Sequence, residues 1–253
     1  KRRGFYIIVN VFLLQQIING LTLGGVYALI ALGYTMVYGV LGLINFAHGE
    51  VYMIGAYSGI IFIGLFTAAG LTSNSLFLSL ALTFLFSVIL TSAYGYTVEK
   101  TAYKPLRKAQ RLSPLISAIG MSIFLQNYVM LTQGATDKIF PDYFGSAGIE
   151  FSGIRVTYLQ IFILAASGLI MLLLQVFIMK TRLGKAMRAT AQDRVMASLL
   201  GINTDHVISV TFVIGSGLAA AAGLMVAAYY GLVNYSIGYI AGIKAFTAAV
   251  LGG

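Results

Sequence analysis

The chain has 253 residues, of which 59% are hydrophobic and 9% charged, with a mean hydropathy of +0.90. That leaves too little polar surface to coat a soluble globule of this length, so its solvent is a bilayer. Zero cysteines exclude a disulfide framework, thiolate catalysis and cysteine-bound metal. The net charge of +9 is not a nucleic-acid signature, because its distribution encodes membrane topology instead.

A hydrocarbon core roughly 30 Å thick needs about 20 mostly apolar residues per spanning helix. Candidate segments lie near 5–18, 20–43, 48–69, 76–97, 112–133, 156–179, 207–230 and 238 to the end. The period is helical, the runs are unbroken, and the ten-residue alternation of an outer-membrane barrel is missing. The expected fold class is therefore all-α, a polytopic transmembrane helical bundle of about eight segments, some discontinuous, in one domain over residues 1–253. The KRRG start followed by FYIIVNVFLL also has the basic and apolar regions of a signal peptide, but no small-x-small site follows before the next span, so a retained first segment is expected. It covers only about 21 Å at 1.5 Å per residue, which makes it interfacial or a run-on into the next helix. The start without Met and the end at VLGG, partway through a hydrophobic run, read as truncations.

Lys100, Lys104, Arg107, Lys108 and Arg111 crowd one loop, and Lys180, Arg182, Lys185, Arg188 and Arg194 another. Between them, over residues 134–155, Asp137, Asp142 and Glu150 outnumber Lys138 and Arg155. The positive-inside rule puts both basic loops in the cytoplasm and the mixed loop outside. Counting back places LTSNS at 71–75 outside and Lys1, Arg2 and Arg3 inside; counting forward, the 207–230 span exits outward.

Glycine is abundant, at 29 residues. Gly215, Ala219, Gly223, Ala227 and Gly231 recur every four residues, a small-residue face that lets another helix approach closely, and Gly20/Gly24, Gly55/Gly59 and Gly238/Gly242 repeat the spacing. Helix packing within the bundle explains this before a face for a second subunit does.

The heptapeptide INFAHGE, residues 44–50, is a polar knot between two long apolar runs. One reading sets it at the cytoplasmic surface, with Asn45 capping the following helix and Glu50 complementing its dipole. The favoured reading is a pore-lining helix break, since Gly39, Gly42, Gly49 and Gly55 interrupt the region and transporters build translocation sites from discontinuous helices. Asn45, His48, Gly49 and Glu50 are thus translocation-path candidates. Lys244 joins them if it faces a wet cavity about a third of the way into the last span; otherwise that span starts later and Lys244 snorkels.

From Lys180 to His206, Leu183, Met187, Ala191, Val195 and Leu199 fall on one stripe while Lys185, Arg188 and Gln192 face away, the pattern of a short amphipathic helix. A left-handed cap is expected at Gly201, and capping oxygens for the next span at Asn203, Thr204 and Asp205. Such a helix either lies on anionic headgroups or docks a soluble engine.

These residues resemble a known family. The stretches GVYALIALGYTMVYGVLGLINFAHGEVYMIGAY, LISAIGMSIFLQNYVMLTQG, MASLLGINTDHVISVTFVIG and GIKAFTAAVLGG are similar to the LivH family, permease subunits of ABC importers for branched-chain amino acids. The likeness runs from about Gln15 to Gly253 and is weakest between Asp137 and Arg155. It implies a homologous second permease, two cytoplasmic ATPases that bind ATP and Mg, a periplasmic or extracellular binding protein that delivers leucine, isoleucine or valine, and residence in a bacterial or archaeal cytoplasmic membrane with its lipid. The family's ATPase-docking segment matches RATAQDRVMASLLG, residues 188–201. Met187, Val195, Met196 and Leu199 would form an adaptable apolar knob. Arg188, with Lys185 and Arg194, would give the polar rim, and Asp193 and Gly201 complete the coupling set.

No GxxxxGK[ST] phosphate loop occurs, so no ATP or other cofactor is expected on this chain, and no catalytic or metal residues are assigned. Nothing pairs His48 with a nucleophile. The alternatives are a related importer of urea or short-chain amides, an ion-coupled secondary transporter with His48, Glu50 and Lys244 as a proton relay, and a purely structural membrane subunit.

Overall fold

The computed structural model describes all residues except Lys1, Lys108, Arg111, Ser146, Ser152 and Gly253, and only the backbone of residues 2–10 and of Phe151. Lys108 and Arg111 of the first basic loop and Lys1 of the basic start therefore lie outside the described residues.

The helices are α1 (Arg2–Leu41), α2 (His48–Ala68), α3 (Leu71–Asn74), α4 (Leu76–Val98), α5 (Leu112–Gln133), α6 (Tyr158–Lys180), α7 (Arg182–Gln192), α8 (Arg194–Leu199), α9 (Thr204–Tyr230) and α10 (Ile237–Gly252). A π-helical turn at Glu99–Tyr103 and a 3-10 turn at Lys104–Leu106 extend α4. Among the described residues six helices are long and apolar enough to cross a bilayer: α1 from Val11, α2, extended α4, α5, α6 and α9. This is a multi-pass, all-α membrane protein. Strands are few and short. β2 (Gly148–Phe151) and β3 (Ile154–Thr157) form a hairpin, and β1 (Lys138–Ile139) pairs antiparallel with β4 (Leu232–Val233), which ties the segment after α5 to the segment after α9.

The first two expected segments run together as one helix. The polar stretch QQIING, residues 15–20, resembles a break because its side chains need partners, and they find them sideways. Gln15 accepts from the backbone N–H of Arg155 and donates to its carbonyl, both at 2.9 Å, and Gln160 donates to Asn19 Oδ1 at 2.8 Å. Thr157 and Gln160 also form a capping box that starts α6. One helix in place of two is the run-on that the sequence left open, and it removes one crossing from the count behind the expected cytoplasmic N-terminus. Val11 lies against Gly153 and Gln15 against Arg155, at the end of the bundle opposite the two basic loops.

Helices α9 and α2 form the centre, with 72% and 56% of their spanning windows buried against 17% for α5 and α6. The small-residue face of α9 makes this possible. A Cβ on Gly223 would overlap the carbonyl of Tyr52, Gly55 lies on Ala220, and Gly215 faces Gly33 of α1. The expected stripe is thus used inside the chain up to Ala227, while Gly231 instead caps α9 with a φ of 69°. Gly20 and Gly24 meet nothing within 4 Å. Helix α4 joins the centre through Ser79, Thr83, Ser87, Thr91 and Gly95, a buried stripe every fourth residue.

Candidate functional site

INFAHGE is the link between α1 and α2. Gly42 ends α1 in a left-handed conformation, φ 67°, that glycine adopts without strain, and its N–H donates to Tyr38 at 2.7 Å. Asn45 is buried, and its Oδ1 accepts from the N–H of Ala47 at 3.1 Å and from the Tyr103 hydroxyl at 2.8 Å. The N-cap of α2 is Ala47, with no side-chain cap. Asn45 therefore does not cap α2 as one reading expected; it folds the turn before the helix and ties that turn to the π-helical turn after α4.

Helix α2 begins alongside α1, level with Gly33, and not beyond the end of α1 at Leu41. The His48 ring packs on Gly33, eight residues before Leu41, or about 12 Å up the helix. Asn45, His48 and Glu50 are each at most 3% exposed. His48 also meets Tyr34 edge-on, ring centroids 4.7 Å apart, and its Nε2 has no partner. Gly49 is the crossing point with α10, where a Cβ would overlap the carbonyl of Gly238 and crowd Cα of Gly242. Glu50 points towards α5 and α10. Its Oε1 accepts from Ser122 Oγ at 3.3 Å, while Oε2 has no partner among the described residues and lies against Gly238.

Two residues along a helix is about 200° of rotation, so His48 and Glu50 face opposite ways. Lys244 is exposed on α10 and sits over the Tyr27 ring, 5.6 Å from its centroid. Among the described residues no hydrogen bond joins His48, Glu50 and Lys244. The structure brings Asn45, His48, Gly49 and Glu50 together and leaves Lys244 apart. Beside Glu50 lies a cavity of about 340 Å³, walled by α5 and α10, whose lining includes Phe46, Ser122, Gln126 and Phe246.

At the basic end of the bundle the expected single amphipathic helix is two helices. Asp193 breaks it by capping α8, accepting from the N–H groups of Val195 and Met196, both at 2.9 Å. The four-residue stripe divides accordingly. Met187 is 4% exposed and packs into the bundle, so it cannot serve as a docking knob, whereas Val195, Met196 and Leu199 on α8, and Leu200 just after it, are 58–80% exposed. Arg188 is exposed beside them, with Nη1 at 3.6 Å from Met179 Sδ. Gly201 adopts the expected left-handed cap, φ 83°, and Asn203 caps α9 by accepting from the N–H of His206.

An ion cluster that sequence reasoning missed anchors α8. Arg107 bridges Glu99 and Asp205, Asp205 pairs with Arg194 at 3.5 Å, and Ser209 donates to the other oxygen of Glu99 at 2.9 Å. The Glu99 and Arg107 side chains are 0% and 6% exposed. Glu99 was the available clue, the acid beside a basic loop, but Asp205 and Ser209, which complete the cluster, lie far along the chain. Removing one member of a buried ion pair leaves an uncompensated charge, which costs about 3–5 kcal/mol. Arg107→Ala should accordingly lower the unfolding midpoint of the detergent-solubilised protein by several degrees, and Glu99→Gln in the same background should recover part of the loss. An unchanged midpoint would show that the cluster does not hold this end together.

Known proteins share this chain's sequence along nearly its whole length. It is 54% identical to the high-affinity branched-chain amino acid transport system permease protein BraD of Pseudomonas aeruginosa, over 95% of this chain and 79% of that protein. The permease proteins LivH of Salmonella typhimurium and Escherichia coli are 52% and 51% identical, each over 96% of this chain and 79% of theirs. No solved structure matches it significantly. Residues 16–253 match the family described as the branched-chain amino acid transport system / permease component, and the chain belongs to that family.

Proposed function

We propose that the chain is one membrane-spanning half of an ATP-driven importer of leucine, isoleucine and valine in a cytoplasmic membrane. In this reading a homologous permease forms the other half, two cytoplasmic ATPases bind ATP and Mg, and a binding protein delivers the amino acid at the opposite face. The observation that carries it is α8: three large apolar side chains exposed on its six residues and a fourth, Leu200, just after it, beside basic side chains, with Arg194 joined through Asp205 to the buried Glu99–Arg107 pair. An exposed apolar knob on a rigid base is what a groove in a partner engages, and the anchor passes the partner's movement to α4 and α9. The translocation path in this reading runs past Asn45, His48, Gly49 and Glu50, where helix geometry is interrupted. The relatives' printed names supply the substrate class.

The test is to co-express the chain with candidate ATPases, second permease and binding protein, reconstitute the purified complex, and measure ATP hydrolysis and uptake. Leucine-loaded binding protein should stimulate both. Uptake of urea or short amides in place of leucine would reassign the substrate, and uptake driven by a proton gradient without ATPases would overturn the reading.

A further inference from the structure

We propose that the cavity between α2, α5 and α10 is a binding site for the ammonium end of an aliphatic amino acid, with Glu50 as its counter-charge. This rests on the amino-acid permease reading and adds the group that is recognised and where.

Glu50 is 1% exposed, one carboxylate oxygen has a single long hydrogen bond from Ser122, and the other has none. Among the described residues it has no salt bridge. A buried carboxylate short of partners is costly, so its surroundings must favour the charge or something must complete it. Two features favour the charge. Glu50 is the third residue of α2, and its Oε2 lies against Gly238, the second residue of α10. Each helix N-terminus acts as roughly half a positive charge, and here two converge on one carboxylate. They offset the burial without giving Oε2 a directional donor. A primary ammonium supplies that donor, with up to three charge-assisted N–H groups.

The remaining wall fixes the rest of the ligand. Ile119, Ile123, Ile243 and Phe246 give it an aliphatic and aromatic lining, with Gln126 and Tyr239 as uncharged donors for the ligand's own carboxylate. About 340 Å³ is within the size range of small-molecule sites. A carboxylate floor under an apolar wall fits an ammonium joined to a branched hydrocarbon. It disfavours ligands of net negative charge, and an uncharged amide leaves the carboxylate unneutralised.

The chain has no cysteine, so a reporter can be placed in the cavity wall. The complete importer, with cysteine-free partners, is reconstituted carrying Gln126→Cys, and modification is timed with an ammonium-bearing and a sulfonate-bearing methanethiosulfonate. The ammonium reagent should react about tenfold faster, the effect expected of a focused negative charge. Leucine should slow it, and N-acetylleucine, with the same hydrocarbon and no basic nitrogen, should not. Glu50→Gln should remove both the charge preference and the protection; a carboxylate that is charged but does not hold the ligand would lose the charge preference and keep the protection. The proposal is overturned by equal protection from N-acetylleucine, by leucine protection that survives Glu50→Gln, or by no leucine protection in a complex that still imports leucine. Silence towards both reagents here and at a second reporter, Ile123→Cys, also overturns it. If the unmodified complex imports no branched-chain amino acid, the permease reading fails first, and that result is visible before any labelling.

Discussion

Gly49→Leu is expected to reduce uptake to background while the chain still inserts and still binds its ATPase. At Gly49 the missing side chain is where α2 and α10 cross, and the atoms in the way of a Cβ are the carbonyl of Gly238 and Cα of Gly242. These are backbone atoms, so no rotamer change relieves the overlap; α10 must move. Overpacking of this kind costs about 1–3 kcal/mol in soluble cores, and more where backbone has to shift. The displacement carries Gly238 away from Glu50 and changes the cavity at its charged end. Gly49→Ala tests the crossing alone and should already impair uptake severely. Gly33→Ala is the useful contrast: there the obstructing atoms belong mainly to the His48 ring, a side chain, although the carbonyl of Gly215 is also near. Uptake should fall less. Radiolabelled leucine uptake, normalised to membrane content, separates these outcomes. Wild-type uptake by Gly49→Leu would remove the α2–α10 crossing from the transport path.

What the sequence reveals divides by distance. The apolar runs, the break at INFAHGE, the left-handed cap at Gly201 and the small-residue face of α9 are local patterns, and the structure contains all of them. Whether the first segment is interfacial or runs on into the next helix is left open by the sequence, because the side chains of QQIING bond to Arg155 and Gln160, about 140 residues away, and no local pattern shows a distant partner. The Glu99–Arg107–Asp205 cluster is hidden for the same reason. The opposite facing of His48 and Glu50, by contrast, follows from spacing alone and argues against a direct proton relay between them. Asp193 carried a readable signal: aspartate is a favoured N-cap, and Arg194–Leu199 is long enough for a short helix. The four-residue apolar stripe through Met187 and Val195 competes with that signal, and the cap prevails because it satisfies two N–H groups at the start of α8. The break turns Val195 and Leu199 outward while Met187 stays in the bundle.

The same split makes Leu199→Asp a clean decoupling substitution. Leu199 is 75% exposed in this chain, so aspartate there should leave insertion and thermal stability unchanged. In the proposed interface the carboxylate would be buried against apolar groups, at a cost of several kcal/mol. Since about 1.4 kcal/mol is tenfold in affinity, association with the ATPase should weaken by about a hundredfold or more, and uptake should vanish. Leu200→Asp, at the residue that follows α8 and is 80% exposed, should behave alike. Met187→Asp should fail differently: that side chain is 4% exposed, so the charge enters the bundle and the protein itself should be lost from the membrane. Co-purification of the ATPase, measured beside the amount of chain in the membrane, distinguishes the two failures. If Leu199→Asp keeps both ATPase and uptake, α8 is no docking element. It then rests on anionic lipid headgroups through Lys185, Arg188 and Arg194, and the site where ATPase movement enters the bundle must be sought elsewhere.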